Sequence, residues 1–297
     1  MSDHPRQVRV VDVFTDKALA GNQLAVVLDG RDMPTDLMQK IAREMNFSET
    51  TFILPPENPS HAARVRIFNP EFEMQFAGHP TIGTAWVMHD AGLVGSLEFT
   101  LEEKVGPVPV RGVIKGDQIQ FWMTFPKLAY GDVFPHADVV GAIGLAVSDV
   151  IDDVPAQIAT TGTPFLFLAL RTKRAVDAAS IERAKLAALL GKKAIALFIF
   201  SVVGNNRFYS RCLGIDIPED PATGSASGPL GAFAVRYGLV ERSLAVSIVS
   251  EQGTKMGRRS FVHIQLAYEA GVDSPSRIQV GGSVMPVLSG TLSDFDR

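Results

Sequence analysis

Phe76-Ala77-Gly78-His79-Pro80-Thr81-Ile82-Gly83 opens an apolar run that ends in Gly92-Leu93-Val94. Ala222-Thr223-Gly224-Ser225-Ala226-Ser227-Gly228 opens a second run, ending in Gly238-Leu239-Val240. Gly78 and Gly224 stand 146 residues apart, and so do Gly92 and Gly238. One fixed offset, close to half the chain, marks two similar half-molecules. The run from Thr81 to Gly92 carries Ile82, Ala85, Trp86, Val87 and Met88 and little polar surface. A helix apolar on nearly all sides is a buried helix. The same holds for Ala226–Tyr237.

Outward from these two helices, most of the chain reads as strands. In the first half, Val8–Phe14, Leu24–Leu28, Thr50–Leu54, Ala63–Phe68, Leu97–Leu101, Val108–Val113 and Gln118–Trp122 have strand character. Leu37, Met38, Ile41 and Met45 give the segment from Met33 a helical spacing, and Asn46 suits its end. The second half repeats the order, with the offset between Gly21 and Gly162 shortened to 141. Strands are expected at Phe165–Leu170, Ala194–Val202, Arg207–Leu213, Val246–Ser250, Phe261–Leu266, Arg277–Gly281 and Val284–Gly290, and a helix at Ile181–Leu190. The break between halves is expected near Lys127–Asp149, which is rich in Gly, Asp and Pro. The expected class is α+β. It has two pseudo-symmetric lobes, each a strongly curved sheet or barrel wrapped round a central helix. We place the lobes at residues 1–128 and 129–297, with the last strand, about 284–297, returning to the first.

Composition narrows the function. The 297 residues are 46% hydrophobic and 20% charged, as in a globular protein with a sizeable core. A net charge of −4 and a pI near 5.9 give no case for nucleic-acid binding. Cys212 stands alone, so neither an internal disulfide nor a cysteine metal cluster is expected, in keeping with a reducing cytosol. The start, Met1-Ser2-Asp3-His4-Pro5-Arg6, lacks the apolar stretch of a secretion signal, and no apolar run is long enough to span a bilayer. A cytoplasmic protein without a membrane partner is expected, working as a homodimer.

The chemistry is expected at the two helix starts. A helix N-terminus presents unpaired N–H groups and a partial positive charge. Gly78 and Gly224 permit close approach of a ligand, Pro80 fits the first turn, and neither first turn holds an acid. Two such ends facing a common site would grip a small carboxylate. His79 would bind that carboxylate or move a proton near neutral pH. The competing role for His79 is structural, as it is for the glycines. Ser225 would otherwise only cap its helix, and Asp220, ahead of Pro221, would only shape the turn. Glu49, in Ser48-Glu49-Thr50, stands at a strand start, where a partly apolar setting would suit it to general acid/base work. A solvated surface glutamate is the alternative. There is no Walker loop, no dinucleotide-binding glycine pattern and no metal-ligand spacing among the six histidines. The serines around Gly224 fall in the wrong places for a nucleophile elbow.

Five motifs occur in order: Asp12-Val13-Phe14, Gly21-Asn22-Gln23-Leu24-Ala25-Val26, Arg43-Glu44-Met45-Asn46-Phe47-Ser48-Glu49-Thr50-Thr51-Phe52, Ala77-Gly78-His79-Pro80-Thr81-Ile82-Gly83 and Asp220-Pro221-Ala222-Thr223-Gly224-Ser225-Ala226. Together they resemble the PhzF-like family, named for the phenazine-biosynthesis isomerase, over nearly the whole chain. The resemblance implies the diaminopimelate epimerase fold and an isomerase that needs no metal or organic cofactor. It makes Glu49 the proton carrier, with His79 and Asp220 also catalytic. Ser48, Gly78, Thr223, Gly224 and Ser225 would bind substrate. Relatives with true epimerase activity place a cysteine at each helix start. Here those places hold Gly78 and a Thr-Gly-Ser sequence, so a two-thiol racemase is not expected. Gln23 replaces a usual Pro, Asn69 a frequent Thr and Pro221 a common Ala. The expected function is a proton shift on a small carboxylic acid, a cyclic amino acid included. The alternatives are a thiol-free amino-acid racemase or epimerase and a non-catalytic ligand-binding protein of the same fold.

Overall fold

The computed structural model describes residues 6–125, 127–215 and 219–293. The chain divides into two compact units, Met1–Thr124 with Gly281–Arg297, and Phe125–Val280.

The first unit contains β1 (Gln7–Val13), β2 (Asn22–Val27), α1 (Thr35–Met45), β3 (Glu49–Leu54), β4 (Ala63–Phe68), β5 (Glu73–Met74), α2 (Gly78–Asp90), β6 (Glu98–Glu103), β7 (Gly106–Lys115) and β8 (Gln118–Thr124). β1 pairs antiparallel with β2, which runs parallel to β3. β3 pairs antiparallel with β4, β4 parallel with β6, and β6, β7 and β8 form an antiparallel meander. Both parallel pairs are joined through a helix, as a parallel connection requires a crossover. α1 makes the first crossover and α2 the second.

The second unit follows with β9 (Ala129–Phe134), α3 (His136–Gly141), β10 (Ala156–Thr160), β11 (Pro164–Ala169), α4 (Lys173–Ala178), α5 (Arg183–Leu190), β12 (Ala196–Gly204), β13 (Arg207–Gly214), α6 (Gly224–Arg236), β14 (Ala245–Gln252) and β15 (Ser260–Ala267). β16 (Arg277–Gly282) returns the chain to the first unit, where β17 (Val284–Thr291) pairs antiparallel with β1. From β9 to β15 the pairings run antiparallel, antiparallel, parallel, antiparallel, parallel, antiparallel. The same alternation runs from β17 through β1, β2, β3, β4 and β6 to β7. The repeated spacing of the glycine turns therefore corresponds to a repeated pairing scheme.

Each unit holds one helix against many of its strands. α2 packs on β1, β2, β3, β8 and β17, and α6 on β10, β11 and β15. Their sequences explain this. α2 buries Ile82, Ala85, Val87 and Met88, and α6 buries Leu230, Phe233 and Val235, with small residues between them. α1 is the contrasting case. It buries Met38, Ile41 and Ala42 against Phe52 and Phe68 and turns a polar face to water.

Three expectations need correction. The helices begin earlier than their apolar runs, at Gly78 and Gly224, because glycine and serine in a first turn carry no hydrophobic signal. The stretch 127–149 is not a loose break. It contains β9, paired with β10, and α3, and the units divide after Thr124. β9 is mostly exposed, so it is held by backbone pairing and shows no buried alternation to read. α4 was also unmarked: Thr172 caps it by accepting from the Ala175 N–H.

Candidate active site

In the first unit, sequence brings four groups together around the start of α2. The parallel register of β2 and β3 sets Leu24 beside Glu49, so Asn22 and Gln23 lie next to the glutamate. Gly21 delivers Asn22 there. Its φ is +70°, and a Cβ at this position would meet the Val13 carbonyl at 2.4 Å. Gly83 lets α2 lie directly on β1 and β2, since a Cβ there would fall 2.5 Å from Leu24 Cδ2 and 2.8 Å from Val13 Cγ2. Asn46, in the left-handed conformation, closes α1 and turns the chain into β3. Glu49 is the first residue of that strand.

The imidazole of His79 sits among these groups, 4% exposed. Asn22 Nδ2 donates to His79 Nδ1 at 3.2 Å. An amide nitrogen only donates, so Nδ1 is the unprotonated ring nitrogen and Nε2 carries the hydrogen. Nε2 lies 3.3 Å from the Gln23 carbonyl oxygen and 3.3 Å from Glu49 Oε2. The second distance alone would suit an ion pair. Burial decides otherwise: desolvation pulls the His79 pKa down to about 3, against a smaller opposing effect of the Gln23 carbonyl. His79 is thus neutral, with its Nε2–H given to the Gln23 carbonyl and its ring edge set beside Glu49 Oε2. The expectation that it titrates near neutral pH is corrected, the reason being its loss of water.

In the second unit, the turn before α6 is a closed network. Thr223 Oγ1 donates to Asp220 Oδ2 at 2.6 Å. Gln252 Nε2 donates to Thr223 Oγ1 and to the Asp220 carbonyl, and its Oε1 accepts from the Thr223 N–H. Asp220 is held to β13 through a bridge to Cys212. Burial and the nearby Asp220 push the Cys212 thiol well above its ordinary range, which makes it inert.

The expected site residues fall into place as follows. Glu49 and His79 meet. Gly78 and Gly224 are the first residues of their helices, and the N–H groups of Gly78, His79, Gly224 and Ser225 lie ahead of the internal helix ladders. Neither first turn contains an acid. Ser225 is not a cap, because Thr223 occupies the cap position and Ser225 is already helical. Thr223 spends its hydroxyl on Asp220, which supports a turn-shaping role for both. Ser48 is exposed just before β3 and enters none of these bonds. Sequence reasoning placed Asn22 only within a motif and missed Gln252. Asn22 has a readable signal, its place directly after an obligatory glycine. Gln252 has none, because its partner turn lies 29 residues away. Among the described residues, no cluster of His, Cys, Asp or Glu is arranged to hold a metal ion. No helix among them is long and apolar enough to cross a membrane.

The profile of the family described as phenazine biosynthesis-like protein, PhzC-PhzF, matches residues 11–290. The chain belongs to this family. It is 34% identical to an uncharacterised isomerase of Mesorhizobium japonicum, across 97% of this chain and 98% of that protein. It is 33% identical to trans-2,3-dihydro-3-hydroxyanthranilate isomerase of Pseudomonas fluorescens, across 95% and 98%. A solved Pseudomonas aeruginosa structure, described as a predicted epimerase, matches with a TM-score of 0.83 at 30% identity, across 97% and 99%. A probable proline racemase of Agrobacterium radiobacter shares the fold alone, with a TM-score of 0.69 at 12% identity, across 97% and 93%. With this membership the protein is an enzyme of the isomerase class, on a mixed-sheet fold shared with PhzF and proline-racemase-like proteins.

Proposed function

We propose that the protein shifts a proton between two carbons of a small carboxylic acid, a cyclic amino acid included, with Glu49 as general acid and base. The observation that carries this reading is the placement of Glu49 Oε2 3.3 Å from Nε2 of a buried, neutral His79. A base for a carbon acid must be held in one orientation within hydrogen-bond reach of its proton. His79, fixed by Asn22 and the Gln23 carbonyl, sets an uncharged ring edge beside the carboxylate and adds no positive charge that would weaken it as a base. Glu49 takes the carbon-bound proton while the C–H electron pair moves into the conjugated system of the substrate. The resulting carboxylic acid returns the proton to a second carbon. Substrate and product are isomers, and Glu49 ends as it began.

The N–H groups at Gly78–His79 suit a carboxylate, as do those at Gly224–Ser225 in their own unit. Asp220 and Thr223 fix the second of these turns, and each unit is taken as a strand barrel closed round its helix. Trans-2,3-dihydro-3-hydroxyanthranilate, the substrate in the name of the Pseudomonas relatives, is the first compound to try. In heavy water, the wild type should turn it over or exchange its carbon-bound hydrogen. Glu49→Gln, which keeps the shape and loses the base, should slow that by about 10² to 10⁴ while binding persists. Unchanged exchange in Glu49→Gln would pass the proton to another group. Inversion at a single carbon would make the enzyme a racemase, and binding without exchange by the wild type would make it a binding protein.

A further inference from the structure

Glu103, the last residue of β6, is 6% exposed and has no part in the chemistry above. Its Oε1 lies 2.5 Å from Thr81 Oγ1. The same Oγ1 lies 2.8 Å from the carbonyl oxygen of Ala77, the residue that caps α2. A threonine hydroxyl has one hydrogen to give. A carbonyl has none, so a Glu103 carboxylate and Ala77 would compete for it and one short contact would lack a proton. A carboxylic acid supplies the missing one. Glu103 then donates to Thr81 Oγ1, and Thr81 donates to Ala77.

We infer that Glu103 is a positioning residue that works as an uncharged acid, locking through Thr81 the helix start that carries Gly78 and His79. This gives the proposed Glu49–His79 pair its foundation and rests on that reading only for its catalytic meaning. The surroundings agree. Glu103 Oε2 is buried and makes no hydrogen bond. Burial raises the pKa of Glu103 to about 8, with the Thr81 hydroxyl as the opposing influence. Charged side chains on the flanking strands are paired with other groups, Arg64 with Glu57 among them. On β4 and β5, Arg66 pairs with Glu73, which also draws Lys104. Glu102, next to Glu103, pairs with His61. On α2, the titratable side chains are His79, held neutral, and His89 and Asp90 at the far end.

The test is amide hydrogen exchange of the full-length protein at the Thr81 amide, which donates to Ala77, and at those that follow it in the first turns of α2, corrected for the intrinsic exchange rate at each pH, in wild type, Glu103→Gln and Thr81→Val. Glutamine donates to Thr81 as the acid does and cannot ionise. Wild-type protection should hold from pH 6 to 7. It should fall by about tenfold at pH 9, where a group of pKa about 8 is roughly nine-tenths ionised. Glu103→Gln should keep its protection across the range, and Thr81→Val should lose it at every pH. Glu103→Gln that loses protection like Thr81→Val, or that follows the wild-type pH profile, would overturn the inference. Because exchange is read without substrate, failure of the Glu49 mechanism would leave this result standing, and the reverse.

Discussion

At the scale of single residues, the site depends on which side chains have lost their water. His79 and Glu103 are both buried and both uncharged at neutral pH, one a base and one an acid. For His79 the folded pKa lies below that of the unfolded chain. The unfolded state therefore binds more protons between about pH 3 and 6.5, and stability falls as pH drops through that window. His79→Gln cannot titrate. In thermal melts from pH 7 to pH 4, the variant should lose less stability than the wild type; equal slopes would show that His79 gains its proton in the fold. Glu49 and His79 were legible from the sequence because their motifs stand in a recognisable order. Their protonation was not, since desolvation is a property of packing. Gln23 shows a departure with no effect on the pair: it contributes a backbone carbonyl, which proline would supply equally.

At the scale of elements, α2 is positioned by a missing side chain. Gly83 brings the helix onto Leu24 and Val13, and that contact sets His79 against Asn22 and Glu49. Gly83→Ala should destabilise the protein by about 1–3 kcal/mol, as overpacking does in close-packed cores. It should also lower activity beyond what unfolding explains. Chemical denaturation and the kinetics of the folded fraction would separate the two, and an Ala variant as stable and active as wild type would refute the role. The two central helices were readable because they are apolar on every side. β9, α3 and α4 were not, because they are short or exposed and are specified by pairing and capping. The turn before α6 was legible as a motif, but Gln252, which ties it together, belongs to a distant strand.

At the scale of the whole molecule, the first unit is discontinuous in sequence and the second is not. The last strand closes onto the first, and the Ser283 carbonyl accepts from the N–H groups of Phe14 and Thr15. A chain ending at Gly282 should therefore expose β1 and β2 to rapid amide exchange while β12 and β13 stay protected. Equal loosening of both units would contradict the division. The half-length offset in the sequence announced two similar units. The return of the last strand was also among the expectations, although pairing partners across the full chain leave no periodic trace in local pattern.

The same closure governs birth on the ribosome. Every strand from β9 to β15 emerges as a contiguous series and can pair while translation continues. The earlier-made unit must wait, with β1 lacking one neighbour, until β17 has left the exit tunnel. The part synthesised first is completed last, and its long-range contact is the slow one to form. For that interval the exposed edge of β1 is a templating surface for foreign strands, so a stalled or prematurely terminated chain is the form of this protein most prone to aggregate.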